Sequence, residues 1–181
     1  MTRTPFIEPM PRALLHEPLD WLFAEHFRHR QLCDLIDRVA RAPTVLVEEI
    51  AEILAFLRFE LPLHVIDEEE DLFPLLRRRC LPEDEVDKAL GVLSAEHKAD
   101  IVHAASLRSL LEAALERRRA PGQDPDARRA MTAFASNERR HIALENAVIL
   151  PIARHRLQPR DLRDLSLRLA ARRGIVLEAA S

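Results

Sequence analysis

Four of the eight histidines in this chain, His26, His64, His97 and His141, interrupt helical faces that are otherwise apolar. Two of them carry a carboxylate four residues later: His64 is followed by Glu68, and His141 by Glu145. A spacing of four places both side chains on one face of a helix, one turn apart. An ionised carboxylate facing a protein interior costs several kcal/mol unless a cation or a proton meets it. The two lysines, Lys88 and Lys98, are not on inner faces. Arg30 and Arg108 lie near the inner lines and offer an ion-paired polar layer as one alternative, but that alternative leaves four histidines unexplained. The order of the motifs is itself informative. Ala24-Glu25-His26 matches Ala95-Glu96-His97, and His64-x-x-x-Glu68 with Pro74 matches His141-x-x-x-Glu145 with Pro151. Such an internal repeat suits a site with two equivalent halves, and hence two metal ions bridged by carboxylates. Mixed imidazole and carboxylate donors in a helical core suit iron or manganese, with zinc as an alternative.

Long helices must position these residues. The chain is rich in Ala, Leu, Arg and Glu, which favour helix, and strand signals are nearly absent. Residues 1–17 carry Pro5, Pro9 and Pro11 and read as an irregular N-terminal arm. A first helix is expected from Pro18 to Ala40. A second, capped by Thr44, runs to Arg79 with a kink at Pro62. A third opens at Pro82-Glu83-Asp84 and ends near Arg117. A fourth spans Asp126 to Arg154. A short fifth spans Arg160 to Arg173 and stops at Gly174. The inner lines, taken at 100° per residue, are Leu15, Leu19, Leu22 and Cys33; Leu46, Ile50, Ile53, Leu57 and Leu75; Val86, Leu90, Leu93, Ile101, Leu111 and Leu115; and Phe134, Val148 and Ile152. The predicted architecture is an all-α, up-down-up-down four-helix bundle over residues 18–156, with the arm before it and a C-terminal helix and tail at 157–181.

Composition narrows the function. Three glycines, at 91, 122 and 174, rule out a Walker loop and a dinucleotide fingerprint. A net charge of −3 and 4% aromatics argue against nucleic-acid binding. Cys33 and Cys80 form no metal-ligand pair and read as buried or half-buried thiols. No signal peptide or apolar run of membrane-spanning length is visible, so a cytoplasmic protein is expected. The absence of tyrosine excludes a tyrosyl radical.

The chain resembles the hemerythrin-like, or HHE cation-binding, domains over about residues 18–156. The resemblance rests on Glu25-His26, His64-Val-Ile-Asp-Glu68 with Pro74, Glu96-His97, and His141-Ile-Ala-Leu-Glu145 with Pro151. It implies a four-helix bundle holding a non-heme di-iron centre, with Glu68 and Glu145 bridging, His26 and His64 on one iron, and His97 and His141 on the other. Oxygen-carrying hemerythrins have a fifth histidine four residues after the one on the third helix. Here that position is Ile101, which leaves more coordination positions open. The implied partner is a small diatomic ligand or peroxide, through oxygen binding, peroxide or nitric-oxide turnover, or iron sensing and storage. The competing reading is a helical interaction module in which iron or zinc is only structural. Around the six residues, Asp67 to Asp71 read mostly as a solvated face, with Glu69 pointing outward. Asp71, Glu60 and His29 are candidate extra ligands. Glu25 and Glu96 are candidates to support the ligand histidines. His16, His103 and His155 read as surface residues.

Overall fold

Helix-forming side chains and a scarcity of glycine give a chain that is helical along most of its length. The computed structural model describes residues 7–177, and among them no strand occurs. The expected arm at residues 1–17 and the tail to 181 therefore lie partly outside the described residues. A single turn of 3-10 helix, Arg12–His16, buries Leu15 and leads into α1, Pro18–Arg41. Helix α2 is one continuous rod over residues 47–79, and α3 is Val86–Arg117. Helix α4 is a second composite rod over residues 125–156, and α5 is Pro159–Arg172, followed by Gly174 at φ 67°. None of these helices is long and apolar enough to cross a membrane.

Three features differ from the expected elements. Pro82–Asp84 does not open α3 but forms a separate 3-10 turn, and α3 starts at Val86 after Glu85 at φ 48°. Thr44 does not cap α2. The first turn opens at Leu46, whose carbonyl accepts from Ile50 N–H, and Glu48 and Glu49 supply the negative charge that the helix start favours. The prolines inside the rods do not simply kink them. Each follows a widened, π-helical turn closed by an i→i−5 bond: Leu61 N–H to Phe56 C=O before Pro62, Phe73 N–H to Glu68 C=O before Pro74, and Leu150 N–H to Glu145 C=O before Pro151. The wide turn removes the clash between a proline ring and the carbonyl four residues back.

The buried residues of α3 recur as Val86, Leu90, Leu93, His97, Asp100, Ala104, Leu107, Leu111 and Ala114. From Leu90 onward this is an alternating three-four spacing, the period of a bundle seam rather than of a straight helix. Ile101, placed on the inner line by the 100° projection, falls one residue off the seam and is 41% exposed. Asp100 takes the inward position instead.

The core is divided. One apolar cluster holds Leu32, Ile36, Ile50, Ile53, Leu57, Leu107, Leu111 and Phe134. The other holds Leu19, Leu22, Leu72, Phe73, Leu90, Leu93, Ile149 and Leu150, with Leu165 and Leu169 of α5 packed in. Along each of the four long helices, the residues between the two clusters are the histidines and glutamates singled out above. The bundle therefore carries one polar layer, sealed by apolar side chains on both sides.

Candidate metal centre

Each long helix delivers one imidazole to this layer, and α2 and α4 each add a carboxylate. His26, His64, Glu68, His97, His141 and Glu145 are all buried. Donor atoms of His26, His64, Glu68 and Glu145 lie within 4.8 Å of one another, as do those of Glu68, His97, His141 and Glu145. The two sets share both glutamates. The inner distances are short. His26 Nε2 lies 3.5 Å from Glu68 and 3.2 Å from Glu145, His97 Nε2 lies 3.2 Å from Glu68, and His141 Nε2 lies 3.1 Å from Glu145. His97 Nε2 and His141 Nε2 are 3.0 Å apart, about the separation of two donors at right angles on an ion with bonds of roughly 2.1 Å.

The outer nitrogens fix which atom points inward. His26 Nδ1 meets Asn146 Oδ1 at 2.8 Å, and His64 Nδ1 meets Glu25 Oε2 at 3.2 Å. His97 Nδ1 meets Glu69 Oε1 at 2.7 Å, and His141 Nδ1 meets Glu96 Oε2 at 2.9 Å. Each acceptor holds an N–H on Nδ1, so a neutral ring presents the Nε2 lone pair to the interior. Lone pairs then face carboxylates. His26 Nε2, His64 Nε2 and all four oxygens of Glu68 and Glu145 are buried with no hydrogen-bond partner among the described residues. Only a cation or extra protons relieve such an arrangement, and the donor set fits divalent or trivalent metal ions.

The titration behaviour has the same cause. Burial works against charge on His26, His64 and His97, but Glu68 and the other carboxylates around the layer raise all three above the ordinary imidazole value, His64 most clearly. Burial also opposes the charge on His141, and Glu145 with its neighbours carries that ring up to about 10. Burial would raise Glu68, yet the surrounding imidazoles hold it well below the carboxylate range. Glu145 is pushed upward by burial and by the charge of Glu68 beside it.

Glu68 and Glu145 have no arginine partner among the described residues. Arg30 is exposed and Arg108 makes no contact with either, so the ion-paired layer does not form. None of the extra ligand candidates joins the cluster. Glu60 is held by both terminal nitrogens of Arg28. Asp71 is held by Arg168 and Arg172. His29 binds Glu138 at 2.5 Å, with its ring 4.5 Å from that of His64. Burial would raise Glu138, but His29 takes it down to about 2. His16, His103 and His155 are exposed, as expected.

The acidic run departs from its expected role. Asp67 is fully buried and bonds Arg172 and Arg173 of the C-terminal segment, and Arg79 likewise pairs with Asp161. Glu69 does not point away from the layer; its side chain is half-buried and spans His97 Nδ1 and Ser94 Oγ. The sequence reading also missed Asn146, Glu138, Asp100 and Arg173. For Asn146 a signal existed, since it occupies the place in the second half that Glu69 holds in the first.

The sequence profile of the hemerythrin HHE cation binding domain matches residues 17–153. The chain belongs to that family. It is also 27% identical over 176 residues to an uncharacterized protein of Haemophilus influenzae, covering 93% of this chain and 97% of that one. As an HHE domain, the bundle has in its buried His/Glu clusters the donor set for bound metal ions.

Proposed function

We propose that this HHE domain holds two iron ions and uses them to bind or react with a small oxidant or diatomic ligand, namely dioxygen, peroxide or nitric oxide. Glu68 and Glu145 would bridge the ions, His26 and His64 would complete one, and His97 and His141 the other. The observation that carries this reading is the sharing of two partnerless carboxylates by two overlapping donor sets. A single ion would leave half of these donors unsatisfied.

When bound, the ions would supply redox chemistry and open coordination positions. The chain's own groups do the rest. Asn146, Glu25, Glu69 and Glu96 hold the imidazoles in the tautomer that aims Nε2 inward. Phe73 stacks on His97, and the two apolar clusters keep bulk water from the layer. Four imidazoles and two carboxylates are fewer donors than two six-coordinate ions need, and Ile101 adds none. The unfilled positions are where a small ligand would bind.

Reconstitution with ferrous iron under anaerobic conditions, followed by elemental analysis, should give about two iron per chain. Exposure to air, peroxide or nitric oxide should then change the near-ultraviolet absorption of the loaded protein. A content well below one per chain contradicts the two-iron reading. Two zinc per chain from cells, with iron refused, would leave a structural metal and remove the reaction.

A further inference from the structure

The four outward hydrogen bonds follow the internal repeat. Glu25 and Glu96 each precede the first histidine of a half, and each holds the second histidine of that half, His64 or His141. Glu69 and Asn146 each follow the carboxylate of a half, and each crosses to the first histidine of the other, His97 or His26. The repeat breaks at one of these four places, where a carboxylate in one half is a carboxamide in the other.

The surroundings widen the difference. Glu25 also accepts from Arg173 at 2.7 Å, whose side chain is only 13% exposed, so its negative charge is offset at short range with little solvent between. Glu96 meets Arg140 at 3.1 Å, but that side chain is 67% exposed and water and salt weaken its effect. Among the described residues Glu69, its side chain 31% exposed, receives only the neutral Ser94 hydroxyl besides His97. Asn146 Nδ2 has no partner among the described residues, so the amide serves His26 through its oxygen alone.

Resting on the two-ion reading above, we propose that the two metal positions are inequivalent: the His97/His141 position, backed by Glu69 and Glu96, binds its ion more tightly and fills first. The His26/His64 position, backed by Asn146 and an arginine-compensated Glu25, fills second. An imidazole that donates to a carboxylate is a more basic ligand than one that donates to an amide, and such a charge-assisted bond is roughly twice as strong as a neutral one. The extra anion beside the His97/His141 half also attracts the cation directly.

Cobalt(II) titrated into the metal-free full chain reports each step through its ligand-field absorption. The wild type should fill in two steps. Glu69→Gln keeps the acceptor and removes the charge. It should weaken the first step by roughly 10–100-fold and leave the second near its wild-type value. Asn146→Asp supplies the missing charge and should tighten the second step while leaving the first alone. Far-ultraviolet circular dichroism verifies that each variant is helical, and either variant alone decides the order. If Glu69→Gln weakens only the second step, or both equally, or if Asn146→Asp tightens the first, the inequivalence is overturned while the two-ion centre stands. A wild-type chain that takes up no cobalt overturns the two-ion reading itself, and the proposal with it.

Discussion

At the scale of single residues, each inner imidazole gives its Nδ1 hydrogen to an outer acceptor, so its Nε2 is the atom left to take a proton or an ion. In the metal-free chain His141 is raised to about 10 by Glu145 against the opposing effect of burial, and because its Nε2 lies 3.0 Å from that of His97 the two nitrogens share one proton. A raised imidazole contributes stability that is fully present below the unfolded value of about 6.5 and is lost as pH climbs through the folded value. Metal-free protein should therefore show a falling urea midpoint between pH 6.5 and 10. Metal-loaded protein, with no proton on Nε2, should not. Equal midpoints at both ends for the metal-free chain would contradict this account. Asp100 behaves in the opposite sense. Burial, with the charge of Glu138, raises it to about 6. Its folded form holds a proton that its unfolded form releases from about pH 4 upward, so stability declines as pH rises from about 4 to 6 and stays lower above. Asp100→Asn removes that penalty. In the metal-free chain it should add roughly 1–2 kcal/mol at pH 7.5 and nearly nothing at pH 3.5, read from urea unfolding at both pH values.

At the scale of elements, two of the three widened turns carry the carboxylates that face the layer. Glu68 and Glu145 are the residues whose carbonyls accept the i→i−5 bonds, so each glutamate opens the irregular turn that its proline follows. At 100° per residue, Glu69 projects about 140° from His64 and reads as solvent-facing. More residues per turn lower that angle and bring Glu69 round to His97. Pro74 and Pro151 marked these places in the sequence, but a proline signals an interrupted helix without saying whether the rod bends or widens. The six inner residues were legible for a simpler reason: polar types at i, i+4 on apolar faces stand out whatever the local winding. The role of α5 was not legible, because its arginines meet acids about a hundred residues earlier in the chain. Arg173 shows what that packing contributes. It bonds Glu25 and the fully buried Asp67, and its guanidinium lies 4.8 Å over the Trp21 ring. Removing one partner of a buried ion pair costs roughly 3–5 kcal/mol. Arg173→Ala should lose about 3 kcal/mol, near the low end because Arg172 still reaches Asp67, as judged by urea unfolding. A loss under about 1 kcal/mol would mean that the pair is more hydrated than its burial implies.

At the scale of the whole molecule, two apolar clusters fold against each other across a layer whose two carboxylates, without metal, have only imidazoles to meet them. The general fold was readable from composition and spacing, and so was the place of the layer within it. The division of the core was not, because a projection of each helix by itself shows an apolar stripe interrupted by a histidine and does not show which residues of different helices pack together above and below the common height of the interruptions. That common height makes the layer a single cooperative weak point. Protonated imidazoles keep it closed in the metal-free chain, but they cannot bring Glu68 and Glu145 into fixed geometry as a bridging ion would. Binding only to the folded form adds about 2.7 kcal/mol when free metal is 100 times its dissociation constant. For a chain of 181 residues, at about 2–4 °C per kcal/mol, this corresponds to a rise in melting temperature of roughly 5–10 °C for each ion so bound. Scanning calorimetry of metal-free and iron-loaded protein measures it directly. Glu68→Gln is the discriminating control. It keeps the size of the side chain and removes a negative charge that both donor sets use. The metal-free variant should melt below the metal-free wild type, since the imidazoles that hold Glu68 well below its ordinary range lose the anion they pair with. The rise on adding iron should shrink to the part that one surviving bridge supports. A variant that keeps the whole rise would show that Glu68 is not shared between the two sets, and that the ions, if two are bound, are held independently.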